Sequence, residues 1–193
     1  MNQNYKKPLE SSRIEIIIGC MFSGKSTELL RRLNRYNAIS FNTLLINNAN
    51  DTRTENSIKT HDNVVKTAIK INKLMDLFII HKKEYEQADV IGIDEAQFFP
   101  DLLDFVLKSE RDNKIIIIAG LDGDFNRKPF GQILNCIPLC DHVTKLSAMD
   151  MVSKDGTFGI FTKRIVDNDN LICIGSNKEY MAVSRKNYLD FSC

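Results

Sequence analysis

The residues best suited to chemistry form one run, Gly19, Cys20, Met21, Phe22, Ser23, Gly24, Lys25 and Ser26. The spacing is G-x-x-x-x-G-K-[ST], a phosphate-binding P-loop. Its two glycines permit backbone angles that other residues resist, so successive amides turn inward toward phosphate oxygens. Lys25 brings a compact positive charge to the outer phosphates. The hydroxyl of Ser26 is a hard oxygen ligand for Mg²⁺. A second chemical pair follows at Asp94-Glu95, with Ala96-Gln97 behind it. Asp94 has the position of the acid that holds the Mg²⁺ shell in such sites. Glu95, one residue further, is turned elsewhere and suits a general base acting on an acceptor hydroxyl.

Both groups need rigid mounts, and the flanking residues supply them. Ile14, Ile16, Ile17 and Ile18 precede Gly19 as a β-branched run, which predicts a buried strand. Leu29, Leu30, Leu33 and Tyr36 recur at helical spacing after Lys25. Val90 to Ile93 predicts the strand that presents the acids, and Thr43 to Asn47 and Lys114 to Gly120 predict two more. Helices are expected near Lys73 to Gln87 and Asp101 to Glu110. Strands alternating with helices predict an α/β fold of the P-loop NTPase type, an open, doubly wound parallel sheet. In such sheets the ligand crevice lies at the carboxyl edge, where both motifs fall.

The polar stretch holding Asp51, Thr52, Arg53 and Thr60-His61-Asp62 lacks periodicity, predicts a mobile loop or hairpin, and taken alone reads as surface polars. Leu121-Asp122-Gly123-Asp124-Phe125 leaves a strand end at the crevice. Phe125 and Phe130 suit either base stacking or a core. Three parts are expected: a polar N-terminal lead over 1–12, the α/β domain over 13–144, and a small C-terminal lobe of loops and short strands over 145–193.

Composition narrows the function classes. The 193 residues carry a net charge of +1, so no basic patch argues for nucleic acid and no charge argues for a membrane surface. No apolar run approaches the roughly 20 residues that span a bilayer. The first 13 residues lack a secretory h-region. Five cysteines, an odd number with no Cys-x-x-Cys pair, argue against a disulfide framework and for a cytoplasmic setting. Cys20 reads as a small filler in the loop, with a redox role as the alternative.

The ordered set of motifs resembles the type II thymidine kinases, the cellular and poxvirus-like group. It comprises the P-loop, Asp51-Thr52-Arg53, Thr60-His61-Asp62, Asp94 to Phe99, Leu121 to Gly131, Phe161-Thr162-Lys163-Arg164 and Ile174-Gly175 to Tyr180. The resemblance covers about residues 13 to 190. It implies transfer of the ATP γ-phosphoryl to the 5′-hydroxyl of thymidine or deoxyuridine. By position, Gly19 to Ser26, with Asp51, Thr52, Arg53 and Asp94 to Gln97, meet ATP. Lys25 steadies charge in transfer, Ser26 and Asp94 organise Mg²⁺, and Glu95 takes the hydroxyl proton. Met21, Leu121, Phe125, Phe130, Thr162 and Tyr180 surround the nucleoside. The lasso segment of Leu171, Ile172, Cys173, Ile174 and Gly175 grips the base through its backbone. The resemblance further implies a homotetramer and feedback inhibition by the triphosphate end product. An alternative is a low-activity nucleotide-binding paralogue, a sensor or assembly partner; another is a P-loop ATPase or GTPase with no small acceptor.

One departure stands out. The family lobe usually holds a structural zinc through two Cys-x-x-Cys pairs. The corresponding residues here are Asp150, Ser153, Ser184 and Asn187. No structural zinc is expected, because hydroxyl and amide groups are poor zinc ligands. Such a metal contributes on the order of 10 kcal/mol to folding, so hydrogen bonds among the replacement residues or subunit contacts must order the lobe instead.

Overall fold

The computed structural model describes residues 11–50, 57–59, 65–166 and 179–190. In chain order, the elements begin with strand β1 (Arg13–Gly19), helix α1 (Lys25–Asn37) and strand β2 (Thr43–Asn48). A short antiparallel pair follows, β3 (Ser57–Lys59) with β4 (Val65–Thr67), and then β5 (Ile69–Ile71). Helix α2 (Lys82–Gln87), strand β6 (Val90–Ile93), helix α3 (Leu102–Ser109) and strand β7 (Ile115–Gly120) complete the central run. Strand β8 (His142–Leu146) ends the sheet. Beyond it lie β9 (Ala148–Met149), β10 (Phe158–Gly159), β11 (Phe161–Arg164), β12 (Tyr180–Val183) and helix α4 (Arg185–Asp190).

Six strands form one parallel sheet in the order β5-β2-β6-β7-β1-β8. The alternation within β1 explains its burial on both sides. Ile14, Ile16 and Ile18 join a cluster with Leu74, Phe99, Phe105 and Val106. Ile17 points the other way, into a cluster with Leu29, Leu30 and Leu33 of α1. Parallel strands covered by helices on both faces read as unbroken apolar runs, and Ile115 to Ala119 are all buried. The expected parallel α/β sheet is the observed one.

One expected element breaks in two. Where a continuous helix over Lys73 to Gln87 is predicted, Leu74–Phe78 form a 3₁₀ turn and α2 begins only at Lys82. The carboxylate of Asp101 accepts the N–H groups of Leu74 and Met75 at 3.1 and 2.9 Å, which fixes this turn's start. Ile79 and Ile80 are exposed between the pieces, so no apolar face draws them into a single helix.

The C-terminal lobe carries two separate two-stranded antiparallel ladders, β9 with β10 and β11 with β12, and the short α4. Its apolar centre is small: Cys20, Ala148 and Ala182, with Phe22 and Met151 against them. Two of those residues belong to the P-loop, so the lobe packs on the loop itself.

Candidate active site

The P-loop leaves β1 at Gly19, whose φ is +149° and where a β-carbon would lie 2.3 Å from the Leu146 carbonyl oxygen. Gly24 caps α1 in the left-handed region at φ 83°, an angle that glycine adopts without strain. The loop is tied from within. Ser23 and the Lys25 ammonium both donate to the Cys20 carbonyl, at 2.8 and 2.7 Å. It is tied from outside by the lobe. The Met21 N–H donates to Thr162 Oγ1 at 3.0 Å, and the Cys20 thiol to the Gly159 carbonyl at 3.2 Å. Burial pushes the Cys20 thiol up, away from the reactive thiolate. That agrees with a packing role for Cys20.

The acids sit where β6 ends. Asp94 is buried, and its Oδ1 accepts the Glu95 N–H at 3.0 Å. Glu95 takes the left-handed backbone region at φ 51°. For a residue with a side chain this is strained, a feature that concentrates at functional sites. Gln97 steadies the Glu95 side chain: its Nε2 donates to Glu95 Oε2 at 2.7 Å, and its Oε1 accepts the Leu121 N–H at 2.9 Å. Gln97 thereby bridges the end of β6 to the end of β7.

Strands β6 and β1 both flank β7 in parallel register. Their carboxyl ends therefore share one sheet edge, about 10 Å apart at the usual strand spacing. Burial pushes the Lys25 amine below its ordinary range, and the charges of Glu95, Asp94 and Asp122 work against that fall. These carboxylates are thus within electrostatic reach of the ammonium. Asp122 is itself paired with Lys145 at 2.7 Å.

The donor set suits Mg²⁺. Asp94 and Ser26 offer hard oxygens, and among the described residues no cluster of three or more His, Cys, Asp or Glu could hold an ion by itself. Mg²⁺ typically takes one or two protein oxygens and completes its shell with phosphates and water.

A second group of residues lies on the β7–β8 connection and beyond β8. Asp124 Oδ1 accepts the N–H groups of Asn126 and Lys128 at 2.8 Å each, shaping the turn that carries Phe125. Phe125 and Phe130 are half-buried, and neither joins the sheet's apolar clusters. The Phe130 ring packs edge-on to Phe98, with centroids 5.6 Å apart. Thr162 and Tyr180 are buried on the paired β11 and β12. Asp51, Thr52, Arg53 and the lasso residues Leu171 to Gly175 lie outside the described residues.

Sequence reasoning gave no role to two side chains in this region. Arg164 stacks on Phe125, and Tyr188 bonds its carbonyl. Arg164 stood in a recognised stretch, yet no spacing rule joins residues this far apart to Phe125. Only the fold supplies that link.

Comparison with known proteins identifies the family. The thymidine kinase family profile matches residues 12–188. The thymidine kinase of vaccinia virus (strain Western Reserve) is 42% identical over 182 residues, 94% of this chain and 99% of that protein. That of Yaba monkey tumor virus (strain VR587) is 44% identical over 180 residues, 92% and 95% of the two chains. That of monkeypox virus is 41% identical over 182 residues, again 94% and 99%. With the profile spanning nearly all of the chain and relatives this close over their whole length, the chain belongs to the thymidine kinase family.

Proposed function

We infer that the protein transfers the γ-phosphoryl group of ATP to the 5′-hydroxyl of thymidine or deoxyuridine. The observation that supports this reading is that the P-loop after β1 and the Asp94-Glu95 pair after β6 leave the same edge of the parallel sheet, with the charges of Asp94 and Glu95 acting on Lys25. In the reaction the hydroxyl oxygen bonds to the γ-phosphorus as the bond to the bridging oxygen breaks. The hydroxyl proton passes to the Glu95 carboxylate, and ADP leaves with the broken bond's electrons. Most of the acceleration in such a transfer comes from positioning and from charge placed around the transferring group.

Each residue has a bounded task. Backbone amides of Gly19 to Ser26 cradle the phosphates, and Lys25 leaves the Cys20 carbonyl to contact the outer ones. Ser26 and Asp94 would hold Mg²⁺, whose charge offsets that of the β- and γ-phosphates when it is bound. Gln97 keeps Glu95 aimed. Arg53, with Asp51 and Thr52, is placed near the phosphates by motif position alone. Met21, Leu121, Phe125, Phe130, Thr162 and Tyr180, with the Leu171 to Gly175 segment, are the proposed nucleoside wall. Phe125 and Phe130 are its aromatic members.

The family suggests a homotetramer, feedback control by the end-product triphosphate, and a cytoplasmic location. No helix among the described residues is long and apolar enough to cross a membrane. The test of the activity is direct. Purified protein with Mg-ATP and labelled thymidine should give thymidine monophosphate, and nucleoside-independent ATP hydrolysis without that product would contradict the reading.

A further inference from the structure

Asp150 sits at the turn after β9 and is 2% exposed. Its carboxylate is ringed by donors. Oδ1 accepts the N–H groups of Val152 and Ser153 at 2.8 and 3.2 Å. Oδ2 accepts the Ser184 N–H at 2.9 Å and the Asn187 side-chain amide at 2.7 Å. The same amide nitrogen donates to Ser153 Oγ at 2.8 Å, and the Asn187 N–H donates to Ser184 Oγ at 3.3 Å. Asp150, Ser153, Ser184 and Asn187 occupy the positions at which the family's lobe takes zinc. They do not fit a cation: N–H groups converge on the centre, and a positive ion there would face them. The arrangement is the inverse of a metal site, with an anion at the middle and donors as its shell.

What this node holds matters for the crevice. Ser184 and Asn187 fix the start of α4, and α4 carries Tyr188. The Tyr188 hydroxyl donates to the Phe125 carbonyl at 2.8 Å. The Phe125 ring is fixed separately, because the Arg164 guanidinium carbon lies 3.8 Å from its centroid. Arg164 is itself set by donating to the Tyr180 hydroxyl at 2.6 Å. Main chain and ring of Phe125 are thus each held from the lobe, by groups on two different elements.

We propose that Tyr188 and Arg164 are positioning residues for the nucleoside wall. They fix Phe125 for stacking on the base, and the Asp150 node holds the helix that presents Tyr188, in the place of a metal. This rests on the reading of Phe125 as part of that wall. Neither residue needs to touch the nucleoside. A ring held at both points has lost its rotamer freedom before the base arrives, so binding need not supply that order.

The experiment compares Tyr188→Phe, Arg164→Met, Arg164→Lys, Asp150→Asn and Phe125→Leu with the wild-type protein. It measures thymidine Kd by calorimetry, KM for thymidine and for ATP, kcat, and zinc content by atomic absorption. Tyr188→Phe should weaken thymidine about fivefold, the equivalent of one hydrogen bond. Arg164→Met should weaken it about tenfold, between an exposed and a fully desolvated cation–π contact. Arg164→Lys should fall between Arg164→Met and the wild type, because it keeps charge and loses the planar stack. ATP KM and kcat should stay near wild-type values, a split that general damage to the fold would not produce. Asp150→Asn should move in the same direction as Tyr188→Phe, and zinc should stay well below one per chain.

If Phe125→Leu weakens thymidine while Tyr188→Phe and Arg164→Met do not, the relay is wrong and the wall assignment stands. If Phe125→Leu changes nothing, or the wild type fails to bind thymidine, wall and relay fall together. Thymidine bound without turnover would refute the kinase reading while the Kd values still test the relay. Zinc near one per chain would overturn the node. Should Asp150→Asn not fold, Tyr188→Phe, which removes a single oxygen, still decides the question.

Discussion

The parallel sheet and the C-terminal lobe meet at the P-loop, but they are held together by different physics. The sheet's central strands are packed by apolar side chains on both faces. Ile16, Ile17, Ile91, Ile93 and Ile116 to Ala119 have no exposed surface, and large side chains such as Phe99 and Phe105 are sealed beneath them. Among its described residues the lobe buries few apolar groups, and a carboxylate with four donors and cations over aromatic rings add polar ties. Arg127 lies over Tyr188 and Arg185 over Phe161, at 4.3 and 5.0 Å. Lys25, Asp94 and Glu95, proposed for the phosphoryl transfer, are mounted on the stiff half. Phe125, Thr162 and Tyr180, proposed for the nucleoside wall, are held by contacts from the polar half.

The largest effect expected is chemical and on the sheet side. Glu95→Gln should lower kcat about 10²–10⁴-fold, the range typical for a general base. Thymidine and ATP affinities should hold within about threefold, checked by calorimetry beside single-turnover rates. Next comes the sheet's packing. Phe105→Ala should cost about 3–5 kcal/mol of global stability, read as a lowered urea midpoint monitored by far-UV circular dichroism. The lobe should answer differently. Asp150→Ala leaves the buried Ser184 N–H, and the half-buried N–H groups of Val152 and Ser153, without their acceptor, at a cost of about 1–3 kcal/mol. Hydrogen exchange should show that cost in 148–166 and 179–190 first, with β1, β6 and β7 still protected.

Acid sharpens the same contrast. Burial alone would push the Asp150 carboxyl up. Hydrogen bonds from Ser184, Val152 and Ser153 outweigh it and hold the group well below the usual carboxylate range. A depressed folded-state value means that the stabilisation is complete above the unfolded carboxylate's pKa of about 4, and is lost as pH falls below it toward the folded value. Lobe protection should therefore fade below about pH 4 in wild type and show no such step in Asp150→Asn. The smallest change is on the surface. Glu28, pulled down to about 2 chiefly by its hydrogen bond from Arg31, bridges Arg31 and Arg32 on an outer face of α1. Glu28→Gln should shift stability by no more than about 1 kcal/mol, measured by thermal melt.

The two halves also differed in how far the sequence disclosed them. The sheet was legible because it obeys local rules. Four isoleucines before Gly19, an apolar run before Asp94 and another before Gly120 each announce a buried strand, and the spacing of Gly19, Gly24, Lys25 and Ser26 announces the loop. The helix expected over Lys73 to Gln87 was half right, because the carboxylate of the distant Asp101 sets a 3₁₀ turn that local periodicity cannot register. In the lobe, the missing cysteines at Asp150, Ser153, Ser184 and Asn187 were visible, and hydrogen bonding among them was one of two expectations. Which atom sits at the centre was not visible, since that depends on how β9 and α4 come together. Likewise, Tyr188 and Arg164 acquire a role only through Phe125, far away in the chain.

The most direct test is a crystal structure with Mg²⁺, a non-hydrolysable ATP analogue and thymidine bound. The account predicts the Lys25 ammonium on the outer phosphates and a Glu95 carboxylate oxygen within about 3 Å of the thymidine 5′-oxygen, in line with the γ-phosphorus. A nucleoside bound elsewhere, or a Glu95 carboxylate turned away from the 5′-hydroxyl while Lys25 holds the phosphates, would contradict it.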